Sequence, residues 1–189
     1  MLIGILSLQG DYSLHANILN QMNVDYIFVN DIDKLNLTDG LIIPGGESTV
    51  ISKLLIKTGL DNAIKLYSKN KNIFGTCAGA VLMSKICIDD KVDQLNVIGI
   101  ESFRNSWGSQ IYSFHDYVNL NFSDSNCSAS FIRAPKIKVV DDNITVLATY
   151  ENEPVLVRND NHLACTFHPE VNNDSIVHKY FLDMVNEKI

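Results

Sequence analysis

The chain has 189 residues, a formal net charge of −7 and no Lys/Arg cluster, which gives one domain with a full core and argues against nucleic-acid binding. No apolar run approaches the ~18 residues of a membrane span, and Cys77, Cys87, Cys127 and Cys165 lack the C-x-x-C spacing of a zinc site. Met1-Leu2-Ile3-Gly4-Ile5-Leu6 is too short and too poor in basic flanks for a secretion signal, so the expectation is a reduced, cytoplasmic chain.

Strand-like and helix-like segments alternate through the N-terminal half. Leu2–Leu8 is a near-continuous apolar run, as a strand buried on both faces requires. Tyr12–Met22 carries Leu14, Ile18 and Met22 at helical spacing. Val24–Val29 and Gly40–Ile43 read as the second and third strands. Thr49–Lys57 and Leu60–Asn70 read as helices, the first with Ser48 or Thr49 as N-cap. Asn72–Thr76 is a further strand, followed by a helical start at Ala80-Val81-Leu82-Met83. This alternation predicts a parallel sheet with right-handed crossovers. Beyond Gly99 the pattern changes to short alternating segments that look antiparallel: Ser109–Phe114, Tyr117–Phe122, Ala129–Ile132, Ile137–Val140, Thr145–Tyr150, Pro154–Arg158 and His162–Phe167. The chain closes with a helix capped by Asn173 or Asp174, with Ile176, Val177, Tyr180, Phe181, Met184 and Val185 on one face. No linker or repeat divides it, so residues 1–189 are read as a single domain.

Three segments carry chemistry. Gly75-Thr76-Cys77-Ala78-Gly79 is the strand–turn–helix pattern G-x-S-x-G with sulfur in place of oxygen. Its glycines permit a tight turn that projects Cys77, and the helix that follows points its N-terminus at the sulfur. Taken alone, Cys77 reads equally well as a small buried hydrophobe. Thr166-Phe167-His168-Pro169-Glu170 supplies a base and its orienter: Pro169 disfavours helix at His168, an extended tripeptide results, and residues i and i+2 then project to one side. Nucleophile, base and carboxylate form the arrangement of a covalent hydrolase. In the third segment, Leu41 to Thr49, a buried strand runs into Pro44-Gly45-Gly46 and a helix start. The Gly46 and Ala78 N–H groups are the candidate oxyanion hole; by itself Pro-Gly-Gly is also an ordinary strand-to-helix turn. The sheet is expected to carry Cys77 and the Gly45-Gly46 turn at the carboxyl ends of adjacent parallel strands.

The Gly75–Gly79 elbow with a distant His168-Pro169-Glu170 resembles the class I glutamine amidotransferases. More narrowly, Leu8-Gln9-Gly10-Asp11, Pro44-Gly45-Gly46-Glu47-Ser48-Thr49, Arg104-Asn105-Ser106-Trp107-Gly108 and Phe131-Ile132-Arg133-Ala134-Pro135 resemble segments of the glutaminase subunits of pyridoxal 5′-phosphate synthase. The resemblance implies an α/β, flavodoxin-like fold: a mostly parallel central sheet flanked by helices, with antiparallel strands in the C-terminal half. It implies that Cys77 attacks the glutamine side-chain amide, that His168 moves protons and that Glu170 orients it. It further implies that Gly46, Glu47 and Ser48 line the glutamine site, that Arg104, Ile132 and Arg133 hold the amino-acid end, and that Gln9-Gly10 lies near the oxyanion hole and the face that docks the synthase. From the residues alone, either arginine reads as a surface ion pair and Gln9-Gly10 as a plain turn. Gly108-Ser109-Gln110 departs from the resemblance, which has a basic residue in place of Ser109.

The expected activity is hydrolysis of L-glutamine to glutamate and ammonia through a thioester on Cys77, with no metal or organic cofactor. The implied partner is a separate pyridoxal 5′-phosphate synthase subunit, for which this chain has no room. A glutaminase serving another synthase, and an idle binding module on the same fold, are the alternatives.

Overall fold

The structure is a computed structural model and describes residues 1–88, 91–104 and 113–188. Apolar runs covered on both faces suit parallel strands. β1 (Leu2–Leu6), β2 (Asp25–Val29), β3 (Gly40–Ile43) and β4 (Asn72–Thr76) pair in parallel in the order β2-β1-β3-β4. The crossovers are α1 (Tyr12–Gln21), α2 (Ile32–Asn36), α3 (Ser48–Thr58) and α4 (Leu60–Tyr67), and α5 (Ala78–Met83) follows β4. The chain then builds β5 (Ser84–Cys87), β6 (Ile98–Phe103), β7 (Phe114–Val118), β8 (Cys127–Phe131), β9 (Lys136–Val139), β10 (Thr145–Tyr150), β11 (Glu153–Arg158) and β12 (His162–Cys165). A 3-10 turn, Pro169–Asn172, and α6 (Ile176–Asn186) close it.

β12 returns to pair in parallel with β4, and β11 and β10 extend that edge antiparallel. The central sheet therefore has seven strands in the order β10-β11-β12-β4-β3-β1-β2. From β2 to β12 the parallel part has the flavodoxin-like order 2-1-3-4-5, counting β12 as the fifth strand. Alternate residues face opposite sides, as the pleat dictates. Ile3, Ile5, Ile42, Phe74, Leu163 and Cys165 pack toward α1, α6 and the β7–β8 hairpin. Leu41, Ile43, Ile73 and Ala164 pack toward α3, α4, α5 and a three-stranded β5-β6-β9 sheet.

Several boundaries move from their expected places. β5 and β6 are absent from the sequence reading: Ser84–Cys87 runs on from α5 without a breaker, and Glu101 and Ser102 interrupt the apolar pattern of β6. The hairpin strand β7 begins at Phe114 and ends at Val118 rather than running to Phe122. The expected strand Ser109–Phe114 and the departure at Ser109 fall mostly outside the described residues. The N-cap of α3 is Glu47, not Ser48 or Thr49, its carboxylate accepting from the Thr49 hydroxyl at 2.9 Å and the Thr49 N–H at 3.5 Å. Ser175 occupies the N-cap position of α6. Asp174 nevertheless caps it from one residue upstream, accepting from Ile176 N–H at 3.0 Å while its other oxygen accepts from Ser128 N–H of β8 at 2.8 Å.

Phe74 is fully buried in β4 with its ring 5.6 Å from that of Phe181. Phe74→Ala is expected to cost about 3–5 kcal/mol in urea unfolding, whereas Leu37→Ala, at a side chain 66% exposed, is expected to cost less than about 0.5 kcal/mol.

Candidate active site

β4 ends at Thr76 and α5 begins at Ala78, so Cys77 alone makes the turn. It does so at φ 48°, ψ −102°, a left-handed conformation that costs a non-glycine residue about 1–3 kcal/mol. The Cys77 N–H donates to the Cys165 carbonyl at 2.8 Å and fixes the turn to the end of β12. Gly79 is required because a Cβ there would overlap the Ile43 carbonyl oxygen of β3. The expected elbow is therefore present, and its strain is held by packing on both neighbouring strands.

His168 lies just beyond β12 with its N–H donating to the Ser130 carbonyl at 2.8 Å. Its backbone is extended (φ −111°, ψ 89°), but Pro169 and Glu170 enter the 3-10 turn. The expected extended tripeptide is thus corrected: Pro169 fixes a φ that suits a turn start as well as a strand. The turn still brings Glu170 back under the ring, with His168 Nδ1 2.7 Å from Glu170 Oε1. Both side chains are almost wholly withdrawn from water.

Burial alone would lower the basicity of His168. Hydrogen bonds to Cys77 and Glu170, and the charges of those two groups, outweigh it and raise the imidazole to about 10. Burial alone would raise the Glu170 carboxyl. The fields of His15 and His168 and the hydrogen bond from His168 prevail and hold the carboxyl below its usual 4.5. The pair is therefore imidazolium and carboxylate, with Cys77 Sγ beside the ring.

A cavity of about 280 Å³ opens in front of Cys77 at the carboxyl ends of β12, β4, β3 and β1. Gln9, Gly10, Gly46, Glu47, Ser48, Cys77, Ala78, Arg104, Ile132, Arg133 and His168 all line it, and Glu170 stands behind His168. All the residues expected at the site are thus brought together. Asn105, Ser106, Trp107 and Gly108 lie outside the described residues. Arg104 Nη2 lies 2.9 Å from Glu47 Oε1, so a cation and an anion sit side by side on the cavity wall. Ile132 turns its carbonyl toward Cys77 Sγ at 3.9 Å, and Arg133 follows at φ 46°.

The loops after β1 and β3 are joined across the cavity edge. Glu47 N–H donates to Gln9 Oε1 at 2.9 Å and Asp11 N–H donates to the Gly45 carbonyl at 3.2 Å. Gly10 has φ 103°, and a Cβ there would overlap that same Gly45 oxygen.

Asp11, Val81 and Pro135 on the cavity wall, and three buried polar groups beneath it, were not among the expected site residues. Thr76 Oγ1 accepts from Gly45 N–H at 3.1 Å and lies 3.3 Å from Glu170 Oε1. His15 and His178 are fully buried nearby. The signal for both was a histidine heading an apolar i, i+3, i+4, i+7 stripe: His15, Ile18, Leu19, Met22 in α1 and His178, Phe181, Leu182, Val185 in α6. Among the described residues no cluster of His, Cys, Asp and Glu is placed to hold a metal, and no helix is long and apolar enough to cross a membrane.

A flavodoxin-like sheet with a cysteine elbow at one strand end and a His–Glu pair at the next defines a class I glutamine amidotransferase. Residues 5–187 match the model of the SNO glutamine amidotransferase family, and the chain belongs to that family. It is similar to the pyridoxal 5′-phosphate synthase subunit PdxT of Oenococcus oeni, 41% identical over 98% of this chain and 97% of that protein. The Brevibacillus brevis PdxT is 43% identical over 99% of this chain and 98% of that protein. A crystal structure of a glutamine amidotransferase, 33% identical, superposes with a TM-score of 0.91 over 97% of this chain and 98% of the other.

The two charges of the buried pair set a pH window. His168 titrates above its unfolded value of 6.5, so its stabilisation is complete below that pH and is lost as pH rises through about 10. Glu170 titrates below its unfolded 4.5, so its stabilisation is complete above that pH and is lost as pH falls toward about 2. The stability gap between wild type and Glu170→Gln, measured by urea unfolding across pH, is expected to be widest between these two unfolded values and to narrow on both sides. A gap that does not vary with pH contradicts the assignment.

Proposed function

We propose that this chain is a single glutaminase domain that hydrolyses L-glutamine to glutamate and ammonia. The observation that carries the reading is the Cys77–His168–Glu170 constellation at adjacent strand ends, in a chain of the glutamine amidotransferase family. Cys77 attacks the side-chain amide carbon with its proton held on His168. His168 Nε2 returns that proton to the departing nitrogen, and ammonia leaves a γ-glutamyl thioester on Cys77. A water then gives up a proton to His168, attacks the thioester and frees glutamate. Glu170 supports the charged ring and fixes its orientation. The Ala78 N–H and a Gly46 N–H stabilise the oxyanion of each tetrahedral intermediate. Arg104 and Glu47 together present the charges that a zwitterionic amino-acid end demands: guanidinium for the α-carboxylate, carboxylate for the α-ammonium. Ser48, Ile132 and Arg133 complete that pocket.

The ammonia goes to a separate subunit. Relatives matched over nearly their whole length are named as subunits of pyridoxal 5′-phosphate synthase, which supports a synthase subunit as the partner and vitamin B6 biosynthesis as the pathway. Gln9-Gly10 is the candidate docking and activation point because its contacts hold the Gly45–Glu47 backbone. A change there on docking would reorient the Gly46 peptide and complete the oxyanion hole.

Two outcomes test the reading. Cys77→Ala is expected to abolish ammonia release while leaving the melting temperature close to wild type, and Cys87→Ser, Cys127→Ala and Cys165→Ala are expected to retain activity; substantial turnover in Cys77→Ala would remove the nucleophile. At saturating glutamine, the isolated chain is expected to release ammonia about 10²–10³-fold more slowly than the chain with its synthase subunit, the effect of one missing oxyanion donor. Equal rates would contradict the docking switch and leave the glutaminase chemistry standing.

A further inference from the structure

His15 of α1 and His178 of α6 are fully buried, do not line the cavity, and take no part in the bond-making and bond-breaking steps above. They are nonetheless joined to it. His15 Nδ1 lies 2.9 Å from His178 Nε2. His15 Nε2 lies 3.3 Å from Thr76 Oγ1 and 3.5 Å from Glu170 Oε1, the same oxygen that His168 Nδ1 approaches at 2.7 Å. Two helices distant in sequence thus each spend a core position on an imidazole that leads to the carboxylate behind His168.

The order of protons along this chain follows from what each group can do. Burial pushes His15 below its usual value; His168 adds to that push, while Glu170 and Asp11 oppose it. Burial, with His15, pushes His178 down to about 3 against Glu170 and the Asp174 backbone. Burial favours the neutral ring for both, and a neutral imidazole carries one N–H. A carboxylate only accepts; Thr76 Oγ1 donates its one proton to Glu170 and accepts from Gly45 N–H, which leaves it a second lone pair toward His15. For Glu170 to gain a donor from α1, the His15 proton must sit on Nε2. Its Nδ1 is then a bare acceptor, and the 2.9 Å contact closes only with the His178 proton on Nε2, which leaves the buried, unpartnered His178 Nδ1 without a hydrogen. With those tautomers the donations would run in one direction, from His178 to His15 to Thr76 and Glu170, and would meet His168 at a single oxygen.

We propose that His15 is a positioning residue for the His168–Glu170 pair. Its Nε2–H, shared between Thr76 and Glu170, locks the carboxylate against His168, and His178 selects the His15 tautomer that makes this donation available. An apolar side chain of equal size would fill the space and leave the buried carboxylate one donor short. The inference rests on the glutaminase reading only for its kinetic readout.

The test compares His15→Phe, which keeps the volume and removes the donor, with His15→Gln, whose amide nitrogen reaches the Nε2 position. Three measurements are made: ammonia release with the synthase subunit present, the pH dependence of Cys77 alkylation by iodoacetamide, and nitrogen NMR of the wild-type imidazoles. His15→Phe is expected to lower kcat roughly 10–100-fold at unchanged KM, as loss of an orienting partner does, and to move the alkylation profile to higher pH. His15→Gln is expected to recover most of kcat and the wild-type profile. In the wild type, His15 is expected to be protonated on Nε2, a result that needs no variant to fold. Wild-type behaviour of His15→Phe, equal impairment of the Phe and Gln variants, or a wild-type His15 protonated on Nδ1 overturns the proposal. If the wild-type complex releases no ammonia, the glutaminase reading fails, and alkylation and NMR still decide the role of His15.

Discussion

A carboxylate withdrawn from water must be met by donors, because an isolated buried charge costs far more than any packing around it returns. Glu170 is such a carboxylate: His168 beyond β12 and Thr76 at the end of β4 bond its Oε1, and His15 Nε2 in α1 lies 3.5 Å from the same oxygen. They converge only if β12, the last strand, lies parallel beside β4 in the middle of the sheet. The return of the chain to that place is therefore the constraint on which the site depends. It sets His168 beside the strand that carries Cys77, and it supplies the Cys165 carbonyl that holds the Cys77 turn.

The same adjacency accounts for where the strain goes. Cys77 sits in a backbone conformation that a non-glycine residue avoids, with α5 clamped onto β3 at Gly79 and onto β12 through the Cys77 N–H. Large apolar side chains on both faces, Phe74 and Phe181 on one and Ile43 and Leu82 on the other, offset the cost. The cavity opens where four parallel strands deliver their loops, so substrate would meet backbone amides, the nucleophile and paired charges without displacing the core.

Much of this was legible in the sequence, for identifiable reasons. β1, β3 and β4 are apolar runs of the length that only a doubly covered strand needs, and they appear within a residue or two of their expected places. The elbow and the His–Pro–Glu segment were legible because glycine and proline act locally. The sequence reading failed where tertiary context overrode local pattern. The alternation of Val118, Leu120 and Phe122 suggested a strand, but pairing with β8 selects Phe114–Val118, whose His115 and Asp116 hide the apolar period. Glu47 rather than Ser48 caps α3 because a long carboxylate reaches both Thr49 groups. His15 and His178 escaped notice because a polar residue on an apolar stripe has no visible partner until two remote helices are brought together.

The central claim is that a glutamyl group passes through Cys77. The direct measurement is mass spectrometry of the chain, with its synthase subunit, acid-quenched during turnover of glutamine and digested. The account predicts a transient gain of one glutamyl group on the peptide that contains Cys77, absent before glutamine is added and lost when it is exhausted. Turnover of glutamine with no adduct on that peptide, or with the adduct on another residue, would contradict it.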